Sequence, residues 1–157
     1  LSHPSGEVIK IASGKTLDLK TQGSVTMPTG SVLQVVDAGA LTALYFTDVN
    51  TSHTVGSVTI TPSSATSKIM VFVNLQIWNG NATSFVCSIN SGGSEVFRFS
   101  EINIAGRFGT SGQYLHSPNT TSPVTYDLAM IKESSNTGNT GNINTQHNHL
   151  YAMEIQG

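Results

Sequence analysis

The chain has little charge. Only 10% of its 157 residues are Asp, Glu, Lys or Arg, against about 25% in an average globular domain. Nine acids and seven bases leave a formal net charge of −2, with no basic run. Nucleic acid is held by clustered Lys and Arg that replace condensed counterions, so that class of partner is excluded. No stretch of about 20 apolar residues exists, so no membrane insertion by a spanning helix is expected, and nothing reads as a secretory leader. Cys87 is the single cysteine, which excludes an intrachain disulfide. It alternates with apolar neighbours in Phe85-Val86-Cys87-Ser88-Ile89, the setting of a buried and inert thiol. No segment carries a convincing 3.6-residue apolar period, so almost no helix is expected.

Small polar residues take the place of charge: Ser 20, Thr 19, Gly 15 and Asn 12. Hydrophobic residues at 38% still suffice for a core, so the chain reads as short strands joined by polar turns. Candidate strands are Val32–Asp37, Thr42–Thr47, Gly56–Thr61, Lys68–Trp78, Ser84–Asn90, Glu95–Ser100, Gly112–His116, Pro123–Lys132 and Gln146–Ile155. Their spacing and their Gly, Pro and Asn turns predict an all-β sandwich, jelly-roll-like, over residues 32–157. The strand from Lys68 is apolar on both faces at first, with Ile69, Val71, Val73, Leu75 and Ile77 on one and Met70 and Phe72 on the other. That suits a sandwich that also packs against sister chains.

Residues 1–31 read differently. Ile9/Ile11, Leu17/Leu19, Val25/Met27 and Leu33/Val35 recur every eight positions, each pair spaced for one face of a strand. Turn triplets with Gly separate them. Stacked repeats need about three units to bury a shared apolar face. Four short pairs give one chain barely one rung of a solenoid, whereas three chains side by side would close a layer at every repeat. A homotrimeric β-shaft leading into the sandwich is the economical reading. The last pair falls inside the first strand of the sandwich, so shaft and head share one phase.

Three stretches carry a resemblance: Met27-Pro28-Thr29-Gly30-Ser31-Val32-Leu33-Gln34-Val35-Val36, Ile60-Thr61-Pro62-Ser63-Ser64-Ala65-Thr66-Ser67-Lys68-Ile69-Met70-Val71, and Tyr114-Leu115-His116-Ser117-Pro118-Asn119-Thr120-Thr121-Ser122-Pro123-Val124-Thr125-Tyr126. With the closing Tyr151-Ala152-Met153-Glu154-Ile155, residues 27–157 resemble a C-terminal domain of tail fibres and other appendage proteins of tailed bacteriophages, notably marine and cyanobacterial ones. The resemblance implies a trimeric β-sandwich tip on a virion fibre, without catalytic residues or cofactor. His116 departs from the pattern, where relatives often show Asp. The function expected is host-surface attachment by the distal part of a phage tail fibre, through a glycan or protein of the host cell surface. Other virion tail or capsid proteins would be met through a part that precedes Leu1. A head or neck fibre with an accessory adhesive role is the alternative within this class.

The residues were read for chemistry as well. A polysaccharide depolymerase tip would need paired carboxylates about 5–9.5 Å apart, and no two of the acids share a recognisable motif. No Gly-x-Ser-x-Gly elbow supports a triad. The expectation is therefore no enzyme. Trp78, Asn79 and Asn81 form one candidate binding loop, since a Trp face stacks on sugar rings and Asn bonds hydroxyls; the competing reading has Trp78 capping the core. Arg107 and Tyr114 form a second loop cluster. His147 and His149 would project to one side of a strand and could bring imidazoles together for a metal, against a bland reading as surface histidines. Glu154 is a charge in an apolar strand and needs a partner, for which Arg98 and Lys68 are the candidates. A cytokine-like trimeric ligand is a third class, weakened by the missing leader and disulfides.

Overall fold

The computed structural model describes residues 12–15, 27–41, 43–46, 48–79, 84–103, 105–133 and 141–157. Most of the eight-residue repeats lie outside the described residues, and so does Asn81. Among the described residues there are nine strands and no helix: β1 (Val32–Asp37), β2 (Tyr45–Phe46), β3 (Ser52–Ile60), β4 (Lys68–Asn79), β5 (Phe85–Ser91), β6 (Ser94–Ile102), β7 (Gly106–His116), β8 (Val124–Lys132) and β9 (Gly141–Ile155).

Alternation makes these strands and aims them. Ile69, Val71, Val73, Leu75 and Ile77 of β4 are all 3% exposed or less, while the residues between them face outward. β5 turns Phe85, Cys87 and Ile89 inward, and β8 turns in Tyr126, Leu128 and Met130. In β3 a bulge between Thr54 and Gly56 resets the phase, so that Val55, Val58 and Ile60 are buried together. Full burial of each such side chain contributes about 1.5–3 kcal/mol. The β5–β6 hairpin turns on Gly92 and Gly93, whose φ values of 59° and 80° are those a two-residue turn of this hand demands.

The strands pair into two antiparallel sheets. One runs β1-β9-β4-β7, with the short β2 also against β9; the other runs β3-β8-β5-β6. Apart from the β5–β6 hairpin, successive long strands cross from one sheet to the other. That order is the eight-stranded jelly roll, and the core lies between the sheets. Burial pushes the Cys87 thiol up to about 12, so it is inert, as the sequence implied.

The structure corrects several expectations. β7 begins at Gly106 rather than Gly112, and β9 at Gly141 rather than Gln146. Glu154 meets neither Arg98 nor Lys68. Its carboxylate accepts from the Ser63 N–H at 2.7 Å, the Ser63 hydroxyl at 2.6 Å and the Gln34 amide at 2.6 Å. Arg98 instead bridges Glu95 and Glu133, at 3.1 and 3.4 Å. Arg98 stands on β6 in the other sheet, and Lys68 faces outward from β4 while Glu154 faces inward, so the nearby neutral donors reach the carboxylate instead.

Candidate functional site

The outer face of the β1-β9-β4-β7 sheet is built row by row. Along β4 the outward positions are Lys68, Met70, Phe72, Asn74, Gln76 and Trp78. In register, Met70 lies between Met153 and Leu115, and Met153 lies beside Val35. That row is apolar across all four strands, and Val35 and Leu115 are 55% and 45% exposed. The next row holds Phe72 between Tyr151 and Gln113, with Asp37 at the edge. Beyond it Asn74 lies between His149 and Ser111, and two rows on Trp78 lies between Asn142 and Arg107. At about 3.4 Å per residue the face runs from apolar at Met70 to aromatic and polar at Trp78 over roughly 27 Å.

A shallow hollow of about 270 Å³ sits in the middle rows. Phe72, Asn74, Ser111, Gln113, His149 and Tyr151 line it, together with Val73 and Gly112. The His149 and Tyr151 rings stack with centroids 5.6 Å apart and planes 14° from parallel. The Tyr151 hydroxyl and His149 Nδ1 are 3.0 Å apart, which locks the two rings into one wall.

A long bulge in β9 positions that wall. Asn74 pairs with His149, but Gln76 pairs with Asn144, so the intervening residues of β9 leave the ladder. The Asn148 side chain closes the gap, its Oδ1 accepting from the Gln76 N–H at 2.7 Å. Asn148 is 6% exposed and serves as the ladder acceptor that the bulge removed.

The sequence-predicted residues fall on this frame unevenly. Trp78 is 40% exposed on the outer face and does not cap the core; Arg107 is its strand neighbour, so these two are brought together. Asn79 is wholly buried at the end of β4 and is not on an exposed loop. Asn81 lies outside the described residues. Tyr114 belongs to β7 rather than to a loop. It stacks between Phe97 and His116, at centroid distances of 5.4 and 5.8 Å. His116 in turn meets the Tyr126 hydroxyl through Nδ1 at 2.7 Å, and burial holds its pKa below the ordinary histidine value. This aromatic ladder closes the sandwich edge between β6 and β7. His149 faces Tyr151, whereas His147 lies in the bulge and its side chain is outside the described residues. Among the described residues no group of three or more His, Cys, Asp or Glu is placed to hold a metal. The sequence reading missed Phe72, Asn74, Ser111, Gln113 and Tyr151 as members of one site.

Fold and face together define an antiparallel jelly roll with one elaborated outer sheet. Solved structures share the fold. The chain is similar to a chain in a structure of infectious bursal disease virus, Gt strain, with a TM-score of 0.56 and 12% identity over 91% of this chain and 38% of that one. It is equally similar to a mutant VP2 protein of that virus in T=1 particles, with a TM-score of 0.56 and 13% identity over 91% of this chain and 36% of that one. The chain thus spans less than two fifths of the viral chains it matches, and at this identity the likeness is one of fold. No protein-family model and no curated protein matches the sequence.

Proposed function

We propose that this chain is the distal part of a homotrimeric tailed-phage fibre that attaches the virion to a glycan or protein of the host surface. The observation that carries the reading is the outer face of the β1-β9-β4-β7 sheet. A sandwich needs only its inner faces buried, yet Val35, Met153, Met70 and Leu115 form an apolar row across the outside. Val35 is also the last residue of the eight-residue rhythm. On this reading the sequence repeats continue the apolar row, and two further copies of the chain would cover it. Beyond the row the face becomes aromatic and polar, a surface suited to recognition. Three such faces on one fibre would convert weak single contacts into durable attachment through high effective concentration. The resemblance of residues 27–157 to phage appendage domains supports the same reading. We assign the chain no catalytic role.

Purified protein is expected to have the mass of three chains in solution and to bind host cells in a way that host envelope extract competes away. A stable monomer with no affinity for cells would overturn the proposal. Loss of polymer length on incubation with host polysaccharide would overturn the non-enzymatic part of it. Labelled imaging of particles is expected to place the protein at the tail tip rather than the head.

A further inference from the structure

We infer that the hollow between β4, β7 and β9 is a binding site for one uncharged pyranose ring, which as a host-surface ligand rests on the attachment reading above. Its volume of about 270 Å³ sits at the lower edge of the range of about 300–1,000 Å³ for small-molecule sites, so it fits one ring and not an extended chain. The stacked, nearly parallel His149 and Tyr151 rings form one aromatic side of the hollow, with Phe72 as a further ring lining it. An aromatic face is electron-rich, and the C–H side of a pyranose packs against it.

Opposite the rings the chemistry changes to match the sugar's hydroxyls. Asn74 and Gln113 each offer two N–H donors and a carbonyl acceptor, and Ser111 offers a hydroxyl that does both. Adjacent hydroxyls of a pyranose ask for that mixture. Among the described residues the side chains of Asn74, Ser111 and Gln113 have no hydrogen-bond partner, so they are solvated and exchange water for ligand on binding. No Asp, Glu, Lys or Arg lines the hollow. No permanently charged side chain is present to pair with a sugar carboxylate or phosphate, and His149 is already engaged with Tyr151, so an uncharged hexose or N-acetylhexosamine is the better match. Every lining residue stands on a strand, and the Asn148 plug holds β9 against β4 beside it, so the site is formed before the ligand arrives.

Saturation-transfer NMR on the full chain tests this with four probes: the methyl glycosides of glucose, galactose and N-acetylglucosamine, and methyl glucuronide as the charged control. At least one neutral glycoside is expected to bind with Kd near 1 mM, the regime of a single ring in a shallow site. The glucuronide is expected to bind at least about tenfold more weakly. Asn74→Ala and Gln113→Ala remove exposed side chains, so the melting temperature stays while the affinity falls by about tenfold or more. Failure of every neutral glycoside to bind, or equal binding by both variants, would overturn the site. Host-cell adhesion measured on the same preparations separates this from the attachment reading. Adhesion without sugar binding removes the hollow and leaves attachment standing. Sugar binding in the hollow without adhesion upholds the site and removes attachment.

Discussion

Glu154 is 1% exposed, next to the inward apolar residues Leu150 and Ala152 of its strand. Burial pushes its pKa up. The Ser63 hydroxyl, the Gln34 amide and the Ser63 N–H favour the charged form, and together they outweigh burial and hold the carboxyl below its ordinary value of 4.5. The charge thus ties β1, β9 and the turn before β4 at one end of the sandwich. Because the folded value is the depressed one, this stabilisation is complete above about pH 4.5 and is lost as pH falls through the lower, folded value. Glu154→Gln keeps the shape but exchanges charge-assisted hydrogen bonds for neutral ones, so it is expected to cost about 1–3 kcal/mol at pH 7. Thermal unfolding followed from neutral to strongly acidic pH should show the gap between the two proteins constant above pH 4.5 and closing below it. A gap that survived unchanged in strong acid would mean that the charge is not what stabilises.

At the scale of elements, β7 shows how tertiary context completes what local pattern leaves open. Gly106-Arg107-Phe108-Gly109-Thr110-Ser111 reads as a loop because two glycines interrupt it. It is a strand because β4 offers an unbroken ladder from Ile69 to Asn79. The glycine at 112 has a packing reason: a Cβ there would lie 2.6 Å from Cβ and 2.8 Å from Cδ2 of Phe99, the β6 ring that reaches across from the other sheet. Gly109 has no such neighbour, its nearest contact being the Leu75 carbonyl at 3.8 Å. Gly112→Ala is therefore expected to cost about 1–3 kcal/mol through overpacking, while Gly109→Ala stays neutral or gains up to about 1 kcal/mol from a stiffer unfolded chain. Urea midpoints of the two variants would decide it, and equal shifts would refute the packing argument. β4, β5 and β8 were legible in the sequence because apolar alternation with closing turns has a single sheet solution. The hollow was not. It takes an i, i+2 pair from each of three strands, Phe72/Asn74, Ser111/Gln113 and His149/Tyr151, and their meeting depends on register. That register includes a β9 bulge which no local pattern displays, so His149 was matched with His147 rather than with Tyr151.

For the whole molecule the proposed trimer sets a requirement for buried surface. Stable association buries about 800 Å² on each partner. The exposed parts of four side chains in the apolar row supply roughly a few hundred Å² at most, so the row alone falls short. The repeats alone fall short as well, since each pair buries nothing until a neighbour covers it. Neither should suffice alone, so the proposed assembly draws on both. Val35→Glu with Leu115→Glu places charges where neighbouring copies would have to desolvate them, at positions exposed enough to leave the single-chain fold intact. Light scattering across a dilution series should then find the double variant dissociating at higher concentration than the wild type. Removal of residues 1–26 should do the same without unfolding the sandwich, and the two changes combined should leave monomers with the far-ultraviolet spectrum of a β protein. If the double glutamate variant assembled as firmly as the wild type, the outer row would not be an assembly surface, and the proposed trimer would lose the support it takes from that row.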